Sequence, residues 1–234
     1  MIACDDNGNH TVLVGHNIEP PYGLAVDWIH GLLFWIDSHM INVMDLNSKQ
    51  RKVLFNEENF AFYYSNAIAV DPSKGLIFWI DLRKGAIERA SMDGNDRMTI
   101  ANVSLAYGIA LDIFDERVYW GDHRENTIDS VDYNGNDWKT ILHSQHLMKS
   151  PSAPVTFSLA IFEEKLYWTD YTYGHEGVFV MNKFNGTEVR QLISVEDYLE
   201  PLRVYHNAVQ PELPNKCDQH SCGNGAICLP KGNF

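Results

Sequence analysis

Nowhere in this chain do about 18 apolar residues run together, so no part of it reads as a membrane-spanning helix. Its opening residues, Met1-Ile2-Ala3-Cys4-Asp5-Asp6, turn acidic at once where a signal peptide would enter an apolar region. Positive charge is scarce: 18 Lys and Arg stand against 31 Asp and Glu, a formal charge of −13. Phosphate binding needs clustered cations, so no nucleic-acid partner is expected. Catalytic signatures are missing too, with no Gly-x-Ser-x-Gly, no His-Glu-x-x-His and no phosphate loop. Apolar residues at every third or fourth position are also absent, which excludes a helical repeat.

What the chain does have is repetition. Tyr22-Gly-Leu-Ala-Val-Asp27 leads through Gly31 to Phe34-Trp35-Ile36-Asp37. The unit recurs as Ala67–Asp71 with Phe78-Trp79-Ile80-Asp81, as Gly108–Asp112 with Tyr119-Trp120-Gly121-Asp122, and as Ser158–Phe162 with Tyr167-Trp168-Thr169-Asp170. Successive tryptophans lie 44, 41 and 48 residues apart. Each unit reads as two antiparallel strands joined by a tight turn. A third and a fourth strand follow, joined at Asp93-Gly94-Asn95, Asn134-Gly135-Asn136 and Asn185-Gly186-Thr187. Gly after Asn or Asp supplies the positive φ of a hairpin turn. Asp45-Leu46-Asn47-Ser48-Lys49 has no Gly and is expected to turn differently. A period of this length with four short strands per unit is that of propeller blades.

The aromatic-Trp-x-Asp tetrad after a Leu-Ala-Val-Asp-like strand resembles the YWTD repeat of the low-density lipoprotein receptor family, and Tyr167-Trp168-Thr169-Asp170 matches it letter for letter. The resemblance implies an all-β fold, a YWTD-type propeller of six blades followed by an epidermal-growth-factor-like (EGF-like) module. Here that amounts to four complete blades, at roughly 20–57, 64–103, 106–145 and 155–195, plus partial strands. Residues 1–14 form the end of a preceding blade, with Met1 to Cys4 and His10 to Val14 as its strands and Cys4 as a small buried hydrophobe. Pro201–His206 has the phase of one more innermost strand. The expected domains are a partial propeller over 1–212 and a truncated EGF-like module over 213–234.

Cys217-x4-Cys222-x5-Cys228 matches the first half of a six-cysteine EGF-like module. The resemblance implies pairing of Cys217 with Cys228 and leaves Cys222 without its usual partner. It explains Cys217, His220 and Cys222 better than zinc does. Asn215-Lys216-Cys217 lacks the acidic lead-in of calcium-binding versions, so no calcium site is expected, and no cofactor. Sequons at Asn9, Asn102 and Asn185 and the clustered cysteines speak for secretion, against the missing signal. The two agree if the chain is an internal piece of a longer secreted or membrane-anchored protein.

Asp37, Asp81, Asp122 and Asp170 invite a catalytic reading, but acids repeated in register point to a structural task such as accepting backbone N–H groups at a strand end. Trp35, Trp79, Trp120 and Trp168 read as core. The face built from the loops around each first strand's start collects His16, His39, His123, His143, His146 and His175, six of the ten histidines, with Arg83, Lys84, Arg124 and Lys149. That face is the candidate binding surface; the alternative is that polar loops simply attract histidine. The resemblance implies a non-enzymatic extracellular binding module of an endocytic receptor, with protein ligands, lipoproteins or the receptor's own acidic ligand-binding repeats as partners and release of cargo in acid. Alternatives are a matrix interaction propeller of the nidogen kind and a propeller hydrolase.

Overall fold

The computed structural model describes residues 1–4, 7–15, 19–37, 40–56, 67–143, 156–170, 176–195, 201–218 and 226–232. Among these there are 18 strands and, for helix, one 3-10 turn at Asn207–Val209. β1 (Ile2–Cys4) and β2 (His10–Val12) form a two-stranded hairpin through Gly8, whose φ is 79°. Blade 1 comprises β3 (Gly23–Asp27), β4 (Leu32–Ile36), β5 (Met40–Asp45) and β6 (Arg51–Asn56). Blade 2 comprises β7 (Ile68–Asp71), β8 (Leu76–Asp81), β9 (Ala86–Ser91) and β10 (Met98–Asn102). β11 (Ala106–Asp112), β12 (Arg117–Asp122), β13 (Thr127–Asp132) and β14 (Lys139–His143) make blade 3. β15 (Thr156–Phe162), β16 (Lys165–Asp170), β17 (Gly177–Asn182) and β18 (Arg190–Ser194) make blade 4. Each blade is a four-stranded antiparallel sheet in sequence order, so the four expected blades are present as a propeller.

Second strands are buried on both faces, and this is why they read as continuous apolar runs: β4 and β8 have every residue buried. Trp79 packs on Phe55 of the preceding blade with centroids 5.3 Å apart, Trp120 meets Trp138 edge-on at 4.8 Å, and Trp168 stacks on Phe179 at 5.5 Å. Each such buried side chain contributes about 1.5–3 kcal/mol. The contacts of Trp120 and Trp168 with Trp138 and Phe179 lie within their own blades, but Trp79, Trp120 and Trp168 each share a core cluster with residues of the preceding blade, so the repeated tryptophans fill the wedges between blades.

The outer hairpins turn at Gly94, Gly135 and Gly186, all with positive φ. In blade 1 the same conformation falls on Lys49, φ 60°, whose N–H donates to the Asp45 carbonyl at 2.9 Å as that of Gly186 donates to Asn182 at 3.0 Å. Gly186 carries a second constraint, because a Cβ there would lie 2.1 Å from the carbonyl oxygen of Ile141 on β14. Gly186→Ala is therefore expected to cost about 2–3 kcal/mol in urea unfolding, from the left-handed backbone and the displaced neighbour together. A loss below about 0.5 kcal/mol would show that the turn swings freely off β14.

Two expectations are corrected. Cys4 is exposed, because it sits opposite exposed His10 in a separate two-stranded hairpin that buries little of either strand. Leu202–Tyr205 forms no ladder: a strand needs a partner strand, and this segment is held instead by the Ser158 hydroxyl, which accepts from Leu202 N at 2.9 Å.

Both ends of the blade series show open faces. β18 is exposed along its whole length, with Ile193 57% exposed. At the other end Val14 packs with Leu33, Trp35 and Met44, yet Leu24, Val26 and Val53 stay exposed. The C-terminal segment runs beneath blades 1 and 2. Trp28 Nε1 donates to Pro211 O at 3.0 Å, Ile227 and Leu229 pack on the blade 1–2 core, and the turn at Gly75 abuts the Lys231 carbonyl. The Cys217–Cys228 disulfide closes this segment, with Cα atoms 5.9 Å apart.

Candidate binding face

One end of the blades, the upper face, is where first strands begin and second strands finish. The tetrad aspartates close it. Asp37 Oδ1 accepts from Met40 N at 2.8 Å and its Oδ2 from Asn42 Nδ2 at 3.0 Å. Asp81 accepts from Lys84 N at 3.0 Å, and Asp122 from Arg124 N at 3.0 Å and Ser104 N at 2.7 Å. Asp170 is buried at 1% exposure. Burial raises the Asp81 carboxyl above its ordinary range, against the opposing pull of the Lys84 N–H and Arg97.

Of the candidate surface residues, Arg83, Lys84, Arg124 and His143 are exposed and His123 is half-buried. His123 meets the ring of Tyr107 edge-on with centroids 4.7 Å apart, and its N–H donates to Leu105 O at 2.9 Å. Lys84 is drawn inward, its Nζ 2.5 Å from Glu88 Oε1 and 2.7 Å from Thr99 Oγ1. His16, His39, His146, Lys149 and His175 lie outside the described residues. The sequon residues Asn9, Asn102 and Asn185 are exposed.

The first strands of all four blades surround an axial cavity of about 210 Å³ that opens on this face. Tyr22, Tyr107, Ser158 and Arg203 line it. Desolvation by the surrounding strands lowers the Arg203 pKa, yet the side chain remains open to solvent through the mouth and keeps its charge. Sequence reading placed residues 201–206 at the right phase but did not count Arg203 among the face's cations; its position after Leu202 was the available signal.

Two buried acids were also missed. Glu88 and Asp129 stand opposite Trp79 and Trp120 on third strands, where alternation alone predicts an apolar residue. Glu88 receives Lys84, Arg97 Nε at 2.8 Å and Thr99 Oγ1 at 2.6 Å; Asp129 receives Thr140 Oγ1 at 2.6 Å and Trp138 Nε1 at 3.3 Å. At the lower face, Asp27, Asp71 and Asp112 end the first three first strands and cap the next turn, and Asp71 and Asp112 also latch the following blade. Asp71 accepts from Tyr133 OH at 3.1 Å, and Asp112 pairs with Lys183. Burial and the neighbouring Asp71 push the Tyr133 phenol well above its ordinary range, so it stays a donor. Blade 4 ends its first strand in Phe162, whose ring instead meets His206 at 4.9 Å. Among the described residues no three His, Cys, Asp or Glu side chains converge as a metal site.

No family profile matches the chain. It is 32% identical over 230 residues to the vitellogenin receptor Yl of Drosophila melanogaster, covering 97% of this chain and 11% of that protein. It is 32% identical over 237 residues to the human low-density lipoprotein receptor-related protein 8, covering 98% of this chain and 24% of that protein. The chain therefore spans a minor part of the length of both relatives. Among solved structures it superposes on a chain of the nidogen/laminin complex with a TM-score of 0.63 at 25% identity, covering 76% of this chain and 65% of that one. A putative TolB from Agrobacterium tumefaciens superposes with a TM-score of 0.61 at 11% identity, covering 80% of this chain and 66% of that one; this second likeness concerns the fold alone.

Proposed function

From the similarity of this chain, over nearly its whole length, to receptors of the low-density lipoprotein receptor family, we propose that it is an extracellular, non-enzymatic protein-binding module whose upper face takes acidic partners. One observation carries the reading: in a chain of net charge −13, Arg203 lines the axial cavity with Tyr107, whose ring meets His123, while Arg83 and Arg124 are exposed in the turns that follow second strands on the same face. Complementary charge of this kind steers association and fixes orientation more than it adds raw affinity. Residues 1–212 act as the propeller and 213–234 begin an EGF-like module. The partners are protein ligands, lipoproteins among them, and the acidic ligand-binding repeats of the same receptor.

Histidine changes charge between pH 5 and 8, so a face carrying His123 and His143 gains positive charge in acid. Affinity for an acidic, calcium-loaded ligand-binding repeat should then rise roughly fivefold between about pH 7.4 and 5.5. In an endocytic receptor this exchange displaces cargo as the compartment acidifies. Surface plasmon resonance across that range tests it. Replacing His123 and the pair His143/His146 with Gln should flatten the profile, and an unchanged slope would leave these histidines as solvated loop residues. The likeness to the nidogen/laminin complex favours a second reading, a matrix interaction module. Binding that does not vary with pH but is lost with Arg203→Ala would support it.

A further inference from the structure

The lower-face aspartates reveal a break in the repeat. Asp71 and Asp112 each receive a side chain from the blade that follows, Tyr133 and Lys183, the first residues after β13 and β17. The residue in that place after β9 is Met92, which is fully buried against blade 1 and brings no polar atom to Asp27. Asp27 is itself fully buried. Its Oδ1 caps the β3–β4 turn at Ile29 N and His30 N, and its Oδ2 lies 2.6 Å from His30 Nδ1. The other ring nitrogen of His30 receives the backbone N–H of Lys216 at 3.3 Å, from the residue beside the disulfide. Blade 1 thus spends its latch on the C-terminal segment, where blades 2 and 3 spend theirs on the next blade.

This arrangement specifies the protonation state. Asp27 is an acceptor and Lys216 N–H a donor, so the ring between them must carry its proton on Nδ1 and leave Nε2 bare. We propose that His30 is a pH-sensitive clasp, holding the cysteine-bridged segment to blade 1 while neutral and releasing it when protonated. Adding a proton to Nε2 sets two N–H groups against each other, so the contact becomes repulsive. Asp27 Oδ2 holds the Nδ1–H in either state, so the change falls on the Nε2 contact with Lys216.

The other charged groups around the clasp do not reverse the sign. Lys216 carries its own ammonium, and Asp218 and Glu212 on the segment are exposed. Asp45, in the neighbouring turn of blade 1, is engaged with Asn47 N and Ser48 N. Docking and protonation therefore oppose each other: docking is complete where the imidazole is neutral and weakens as pH falls. This clasp sits on the face opposite the candidate binding surface and stands independently of it. Trp28, which donates to Pro211, is a second point of the same attachment.

The test is hydrogen exchange of the Lys216 amide and the Trp28 indole in the whole chain, corrected for intrinsic rates, at about pH 7.5 and 5.5. Both protection factors should fall roughly tenfold in acid, while amides of β8 and β12 hold theirs. In His30→Gln, which keeps a donor for Asp27 and does not titrate, the fall should vanish. Nitrogen-resolved NMR of the unaltered chain gives a readout that needs no variant: the His30 ring and the Lys216 amide should titrate with one midpoint. Protection that is unchanged in acid, a fall that persists in His30→Gln, or separate midpoints would overturn the proposal.

Discussion

Asp112→Ala should destabilise the chain by about 3–5 kcal/mol, far more than Lys183→Met, at about 1 kcal/mol. Asp112 is 2% exposed and performs two tasks: Oδ1 accepts from Phe114 N and Asp115 N, and Oδ2 pairs with Lys183 Nζ from the next blade. Removing it uncaps a turn and strands a cation that is 5% exposed, with the half-exposed Asp115 at 2.9 Å as its remaining carboxylate. Burial by itself pulls the Lys183 pKa down, and the hydrogen bonds of Asp112 and Asp115 more than reverse that pull. Without Asp112, Asp115 alone opposes the effect of burial on the ammonium. Lys183→Met leaves Asp112 with both N–H partners, and Met92 already occupies the same place between blades 1 and 2. Urea unfolding of both variants decides the matter. Equal losses would mean that the pair acts as a unit and that the capping bonds contribute little.

Glu88→Gln is expected to cost about 3 kcal/mol at neutral pH and to flatten the chain's acid response. Glu88 is 1% exposed. Burial pushes its carboxyl up, but hydrogen bonds from Lys84, Thr99 and Arg97 outweigh burial and leave it below its ordinary value of 4.5. A carboxylate held low in the folded state contributes stability that is fully present above the unfolded value and is lost as pH falls through the folded one. The unaltered chain should thus lose stability below about pH 4.5, and Glu88→Gln should lose less over the same interval. The neutral-pH cost arises because Arg97 lies over the rings of Trp79 and Phe55, 5.2 and 5.6 Å from their centroids, and loses its nearest carboxylate. Denaturant midpoints between about pH 7 and 3 measure both effects. Parallel profiles for the two chains would show that Glu88 does not govern acid unfolding.

The blades were legible because Trp-x-Asp and Asn-Gly each mark a position with a single physical demand, a wedge to fill and a left-handed turn to make. The latches were not legible, since Tyr133, Lys183 and Met92 share a place but no chemistry, and their partners lie in another blade. Glu88 and Asp129 escaped notice for a related reason: a buried acid is tolerated only through partners such as Thr99 and Thr140, which strand alternation does not reveal. Arg83, Lys84 and Arg124 follow second strands, as repeat phase places them, whereas Arg203 was passed over although its segment was placed at the right phase. Leu202–Tyr205 had the phase of a strand and lacked one, because phase says where a segment lies and a ladder depends on what lies beside it.

Each blade pairs only strands adjacent in sequence, and blades meet their neighbours through shared apolar wedges and through latches such as Tyr133 to Asp71, 62 residues apart. Energetically this is a one-dimensional array, in which every unit has a local free energy of its own and a coupling to its neighbours. Such an array melts from whichever end has the weakest coupling. Among the described residues, blade 4 has a neighbouring blade on one side and the exposed strand β18 at its end, whereas blade 2 has a blade on either side and the C-terminal segment beneath it. Opening therefore spreads inward from β18, and β8 is the last ladder to exchange its amides. Any surface that closes over β18 raises the cooperativity of the whole series, because it supplies the missing coupling at the end where unfolding begins.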